Sequence, residues 1–131
     1  MANIKFTSKS IKKVARLLRT VGQPSRLKIM LAIGEGEVCV CHLESLLGMR
    51  QAYISQHLMA LRQANLVEDR RDGRYIYYRV SNPGMLALIR QAAELTGLSG
   101  DDITALSPPK ASPDCPCPHC EGDFIPVGRV S

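Results

Sequence analysis

Tryptophan is absent from the 131 residues, and phenylalanine and tyrosine supply an aromatic content of only 5%. With 45% hydrophobic residues the chain has enough aliphatic material for one modest core and little for a second large domain. No uninterrupted apolar run approaches the ~18 residues a membrane helix needs. The opening Met1-Ala2-Asn3-Ile4-Lys5-Phe6 lacks the hydrophobic centre of a signal peptide. The expectation is a cytoplasmic chain without a membrane partner. Nor is there a nucleophile–base pairing or a phosphate-cradling glycine loop on which to build an enzyme. Acidic residues are scarce in the first three quarters: residues 1–97 carry fifteen basic and seven acidic side chains, whereas residues 98–131 carry two and five. The first part is the candidate for a polyanionic partner.

Six of the eight prolines lie beyond Gly97, which argues against long helices or paired strands there. The reading is a folded domain over residues 1–97 and a Pro/Cys-rich tail over 98–131. Within the first part, Ile11, Val14, Ala15 and Leu18 recur at helical spacing, predicting an amphipathic helix over residues 8–20, with Ser8 as its cap. Pro24 suits the first turn of a second helix that runs out at Gly34. A third, short helix holds Leu43, Leu46 and Leu47 and stops at Gly48. A fourth, Arg50 to Gln63, buries Ile54, Leu58 and Leu61 and turns Ala52, Tyr53, Gln56 and Met59 away. Two short helices joined at Gly48-Met49 outline a helix-turn-helix.

From Leu66 the period drops to two, and Asp72-Gly73 is a favoured hairpin dipeptide. A two-stranded ribbon with a basic tip is expected, followed by a helix over about 83–96. The order predicts a winged helix-turn-helix, mainly α with a β-hairpin wing. The first and last helices carry more apolar surface than one copy covers, which points to a homodimer. A helix in the major groove reads base edges with amides and hydroxyls, so Gln51, Ser55 and Gln56 are the reading candidates, with Tyr53 and His57 on their flanks. His57 suits a hydrogen bond between helices equally well. Arg70, Arg71 and Arg74 at the hairpin tip would meet phosphates or the minor groove, although a solvated charged turn has the same composition. Tyr75, Tyr77 and Tyr78 read as cross-strand packing.

Five cysteines in a chain expected to be cytoplasmic argue for thiolate chemistry over a disulfide framework. Cys39 and Cys41 stand just before the third helix, whose N-terminus favours the thiolate. Cys115, Cys117 and Cys120 stand in the tail with His119. Two sulfurs are not a full shell: a tetrahedral ion wants four ligands and arsenite takes a three-sulfur pyramid. The tail can complete it. An isolated pair of this kind also reads as small apolar residues at a helix entrance, and His42 reads as a surface residue of its helix.

Glu37-Val-Cys39-Val-Cys41-His-Leu43, Ile54-Ser55-Gln56-His57-Leu58 with Leu61 and Asn65-Leu66-Val67, and Arg70-Arg71-Asp72-Gly73-Arg74-Tyr75 with Tyr78 together resemble the ArsR/SmtB family of metal-sensing winged-helix repressors. The resemblance spans about residues 8–97. It implies a homodimer that sits on double-stranded operator DNA with an inverted repeat and leaves when a soft metal or metalloid binds: arsenite, cadmium or lead, with zinc also admitted. Family DNA contacts fall on Gln51, Ala52, Ser55 and Gln56, with the hairpin arginines as wing contacts; Ala52 departs from the polar residue often found there. Two further departures matter. Arsenite sensors often carry a third cysteine where this chain has Glu44, and cadmium and lead sensors draw sulfurs from an N-terminal arm that here has none. The missing ligands are then most simply supplied by the tail, by one or two of Cys115, Cys117 and Cys120. The family's Asp/His zinc site on the last helix is also absent, since residues 83–97 offer only Glu94. A thiol redox or persulfide sensor of the same fold is the alternative, and a metal-binding module without regulatory DNA contact is a third reading.

Overall fold

A computed structural model describes residues 7–99 and 102. Five helices and three strands follow in the order α1 (Ser8–Val21), α2 (Pro24–Ile33), β1 (Glu37–Cys39), α3 (Val40–Leu47), α4 (Gln51–Gln63), β2 (Val67–Asp72), β3 (Tyr75–Val80) and α5 (Gly84–Leu95). The expected winged helix-turn-helix is present. Cys115, Cys117, Cys120 and His119, and nearly all of the expected tail, lie outside the described residues.

The core is aliphatic, as the composition requires. Ile29, Met30 and Ile33 of α2, Leu43 of α3, and Ile54, Leu58 and Leu61 of α4 have no exposed surface, and Met85 and Ile89 of α5 join the same cluster. At about 1.5–3 kcal/mol for each fully buried aliphatic side chain, this cluster is what seats α4 against α2 and α3. Thr7, rather than Ser8, caps α1: its side chain accepts from the Ser10 amide. Only one edge of α1 reaches the core, through Val21 and the half-buried Leu17. The predicted stripe of Ile11, Val14 and Leu18 faces outward, each about half exposed at 52%, 50% and 51%.

The turn between α3 and α4 begins at Gly48, in the left-handed region at φ 66°, whose amide closes on the Glu44 carbonyl. A side chain there would be strained, so glycine ends α3 cleanly. Helix α4 ends differently. Asn65 takes φ 62°, and the Leu66 amide bonds back to the Leu61 carbonyl, an arrangement Asn tolerates better than other non-glycine residues.

The wing is larger than the expected ribbon. Three antiparallel strands stand in the order β1-β3-β2, with β1 set against β3 in the register Glu37↔Arg79, Val38↔Tyr78 and Cys39↔Tyr77. The hairpin pairs Asp72 with Tyr75, so its two loop residues are Gly73 and Arg74. Only Gly73 takes a positive φ, 64°, which fits a turn with glycine at its first central position. Arg74 therefore sits at the apex.

Candidate DNA interface and thiol site

Gln51, Ala52, Tyr53 and Gln56 are exposed on α4, and Ser55 is partly exposed. Opposite them Ile54, Leu58 and Leu61 are sealed in the core. The amide- and hydroxyl-bearing face is therefore presented outward by a helix whose other face cannot rotate out without exposing the core.

His57 is not on that outer face. It is 9% exposed, its Nδ1 accepts a hydrogen bond from Arg26 Nε at 3.1 Å, and the Tyr53 ring stands edge-on to it with centroids 4.5 Å apart. Of its two sequence readings, the interhelix hydrogen bond is the one found. Burial, followed by the nearby Arg26 charge, holds the imidazole below its ordinary pKa. Tyr53 stays 45% exposed, with its hydroxyl 3.1 Å from Ser25 Oγ on α2.

The wing arginines are not equivalent. Arg71 and Arg74 are exposed at and beside the apex. Arg70 instead makes a two-pronged contact with the Glu37 carboxylate, at 2.9 and 2.7 Å, and its guanidinium lies 4.9 Å from the Tyr77 ring centre. The carboxylate already neutralises it and clips β2 to β1 across the sheet. Tyr77 is buried and Tyr75 and Tyr78 are partly so, in keeping with a packing role.

Cys39 closes β1 and caps α3, its sulfur accepting from the His42 amide at 3.3 Å. Strand pairing with β3 fixes its backbone, and the first turn of α3 brings Cys41 around beside it. The two sulfurs are 2.7 Å apart as thiols. Cys39 is buried at 2% exposure and Cys41 is half-buried. His42, expected at the surface, is 1% exposed, on a short helix that meets α2 and α4 as well as β1 and β3.

A cleft runs past the thiols, lined by Cys39, Cys41, Gln51, Arg74, Tyr75 and Ile76. It joins the sulfur pair to the first residue of α4 and to the wing apex, which the spacing alone did not foretell. As a metal site the pair would supply only one edge of a soft ion's shell. Among the described residues no group of three or more His, Cys, Asp or Glu gathers to hold an ion, so further ligands would have to come from beyond them.

Residues 23–69 match the model of the bacterial regulatory proteins of the arsR family. The chain is 37% identical over 81 residues to the biofilm growth-associated repressor of Xylella fastidiosa and covers 71% of that protein. The chain belongs to the ArsR family. It is also 39% identical over 77 residues to the biofilm growth-associated repressor of Agrobacterium fabrum, and 40% over 67 residues to the arsenical resistance operon repressor of Escherichia coli. Those alignments take in 59% and 50% of this chain but only 66% and 57% of the relatives, just under two thirds of their length or less.

The solved structure of the repressor BigR from Xylella fastidiosa is similar at a TM-score of 0.60 and 33% identity, over 72% of this chain and 99% of that one. The homodimeric winged helix-turn-helix domain of Mb0332 from Mycobacterium bovis is similar at 0.61 and 29%, over 73% and 93%. The family and the solved structures matched are those of regulatory proteins. Among the described residues no helix is long and apolar enough to cross a membrane.

Proposed function

We propose that this ArsR-family chain is a homodimeric transcriptional repressor that binds operator DNA through α4 and the wing and is released when a soft metal or metalloid binds its cysteine thiolates. Gln51, Ser55 and Gln56 read base edges, with Ala52 packing beside them and Tyr53 at the rim. Arg71 and Arg74 take backbone phosphates, and Arg70 reaches DNA only by sharing itself with Glu37. His57 serves the interface from behind. The exposed stripe of α1 is the dimer face, and a two-fold pair of reading helices favours an inverted repeat with half-sites about one helical turn, ~10 bp, apart.

The observation that carries the sensing half is the cleft that Cys39 and Cys41 share with Gln51 and Arg74. One or two of Cys115, Cys117 and Cys120 complete the ligand set in this proposal. A thiophilic ion would supply a cross-link between sulfurs; arsenite, cadmium and lead suit such donors, and zinc is admitted by a four-sulfur set. One of the relatives is named for arsenical resistance, which supports a metalloid among the candidate inducers. A redox reading, with one cysteine from each group joined as a disulfide, uses the same sulfurs.

Gel-shift titration of the full chain on duplex recovered from a randomised pool, with arsenite, cadmium, lead and zinc in turn, tests the proposal. Release by at least one ion is expected, with a coupling of ~1–3 kcal/mol or roughly 5- to 150-fold in affinity. Cys39→Ser with Cys41→Ser should abolish it while the duplex is still bound. Release by all four ions unchanged in that variant would refute the site. Mass spectrometry after mild peroxide, beside metal stoichiometry of the reduced protein, separates the redox reading.

A further inference from the structure

The polar contacts behind the reading helix converge on one side chain. Arg26, on α2, is half-buried and donates in two directions: Nε to His57 Nδ1 on α4 at 3.1 Å, and Nη1 to the Thr20 carbonyl of α1 at 2.9 Å. Thr20 lies in the last turn of α1, where carbonyls have no partner within the helix. One turn before His57 on α4, Tyr53 meets Ser25, the neighbour of Arg26, through its hydroxyl. A single planar guanidinium thus spans the end of the helix that carries the exposed apolar stripe and the middle of the helix that carries the amides.

We propose that Arg26 is a positioning residue for DNA reading, setting the angle of α4 relative to α1 through His57 and the Thr20 carbonyl. This rests on the DNA-binding function proposed above and adds to it the element that aligns dimer and reading head. The chemistry is specific. Because Nδ1 accepts from Arg26, its lone pair is engaged and the ring proton must reside on Nε2, with the imidazole neutral. Nε2 is itself buried with no acceptor among the described residues, so among them Arg26 is the one hydrogen-bond partner that holds this tautomer. The rigid fork of arginine holds both acceptors at a fixed separation, which a lysine ammonium on a flexible stem would not. If α4 tilts, Gln51, Ser55 and Gln56 lose register with base edges, while wing contacts to phosphate, which carry no sequence information, persist.

The test compares discrimination, not affinity alone. Full-length Arg26→Met, His57→Phe and the double variant are titrated by fluorescence anisotropy at one salt concentration on duplex selected from a randomised pool and on an unrelated duplex. Each single variant should lose roughly tenfold on the selected duplex, the scale of one hydrogen bond to a charged group, and change little on the unrelated one. The double variant should be no worse than either single one, since both break the same link. His57→Asn, whose amide oxygen stands where Nδ1 stood, should restore discrimination. Nitrogen-15 NMR of the parent imidazoles at neutral pH should show Nδ1 bare and Nε2 protonated.

Unaltered discrimination in the single variants, effects that add in the double variant, or a protonated Nδ1 would overturn the proposal. Should the parent select no duplex at all, the DNA-binding function falls instead, and the NMR tautomer still decides whether Arg26 holds His57.

Discussion

Replacing Leu18 with glutamate on the outer stripe of α1 tests whether that stripe is the dimer face. Ile11, Val14 and Leu18 are 52%, 50% and 51% exposed in the single chain, while Leu17 and Val21 on the other edge pack into the core. Full burial of such a side chain is worth about 1.5–3 kcal/mol, so the half still exposed holds about 1 kcal/mol each. Two copies bring six of these side chains together, a gross gain of about 6 kcal/mol before the cost of association. Leu18→Glu removes two of the six and asks two carboxylates to leave water. The burial loss alone is about 2 kcal/mol, or roughly 30-fold in the dimer dissociation constant, and desolvation adds to it. Sedimentation velocity over a concentration series reads the shift, with circular dichroism to confirm that helix content is kept. A dimer as tight as the parent's would refute the assignment of this face. A monomer that held a selected inverted repeat as tightly as the parent would refute the role of the dimer.

Arg71→Ala and Arg74→Ala should weaken every duplex alike and each lower the slope of log affinity against log salt by about one; Arg70→Ala should lower it less, because Glu37 already holds that charge. Equal slopes for all three variants would show that the Glu37 pairing is given up on DNA. His57 makes stability depend on pH. Its pKa is lowered in the folded chain from 6.5, so below 6.5 the unfolded chain takes up a proton first, and the stabilisation, complete above that pH, is lost as pH falls through the folded value. The thermal midpoint of the parent should fall on acidification through that window more steeply than that of His57→Phe, and parallel curves would count against it. Gly48→Ala meets no atom within 4 Å of its new Cβ but must hold φ near +66°, so strain alone should cost about 1–2 kcal/mol in urea denaturation; a larger loss would show that the turn is packed in a way the glycine hides.

Helical elements were legible where the apolar spacing is long and regular. Ile54, Leu58 and Leu61 identified the buried side of α4, and Gly48 marked the turn before it. The three-residue β1 was not legible, because its only cause is remote. Val38 and Cys39 are extended by pairing with Tyr78 and Tyr77 some forty residues later, and no local period announces that. His42 was misplaced because so short a helix carries no local sign that it meets α2, α4 and two strands at once. Arg70 read as one of three equivalent charges, and only the strand register that brings Glu37 within 2.7 Å separates it from Arg71 and Arg74. The thiol pair was legible from its spacing and helix entrance, whereas its nearness to Gln51 and Arg74 required the wing to fold over it.

That nearness bears on how release would work. Cys39 is at once the last residue of β1 and the N-cap of α3, so it is shared by the sheet that carries Arg74 and by the helix-turn-helix that carries Gln51. A guest acts on DNA affinity only through a difference in its own affinity for the bound and free conformations. Here that difference needs no long relay. On the function proposed above, the wing and α4 hold a set mutual position on DNA, and the thiol pair shares one cleft with Gln51 and Arg74. A ligand that asks Cys39 and Cys41 for a different separation, or draws a third sulfur into the cleft, alters that position directly. On this reading inducer strength tracks the change in sulfur geometry an ion imposes more closely than its affinity for thiolate, so a tight binder that accepts the resting geometry would occupy the site and leave the operator held.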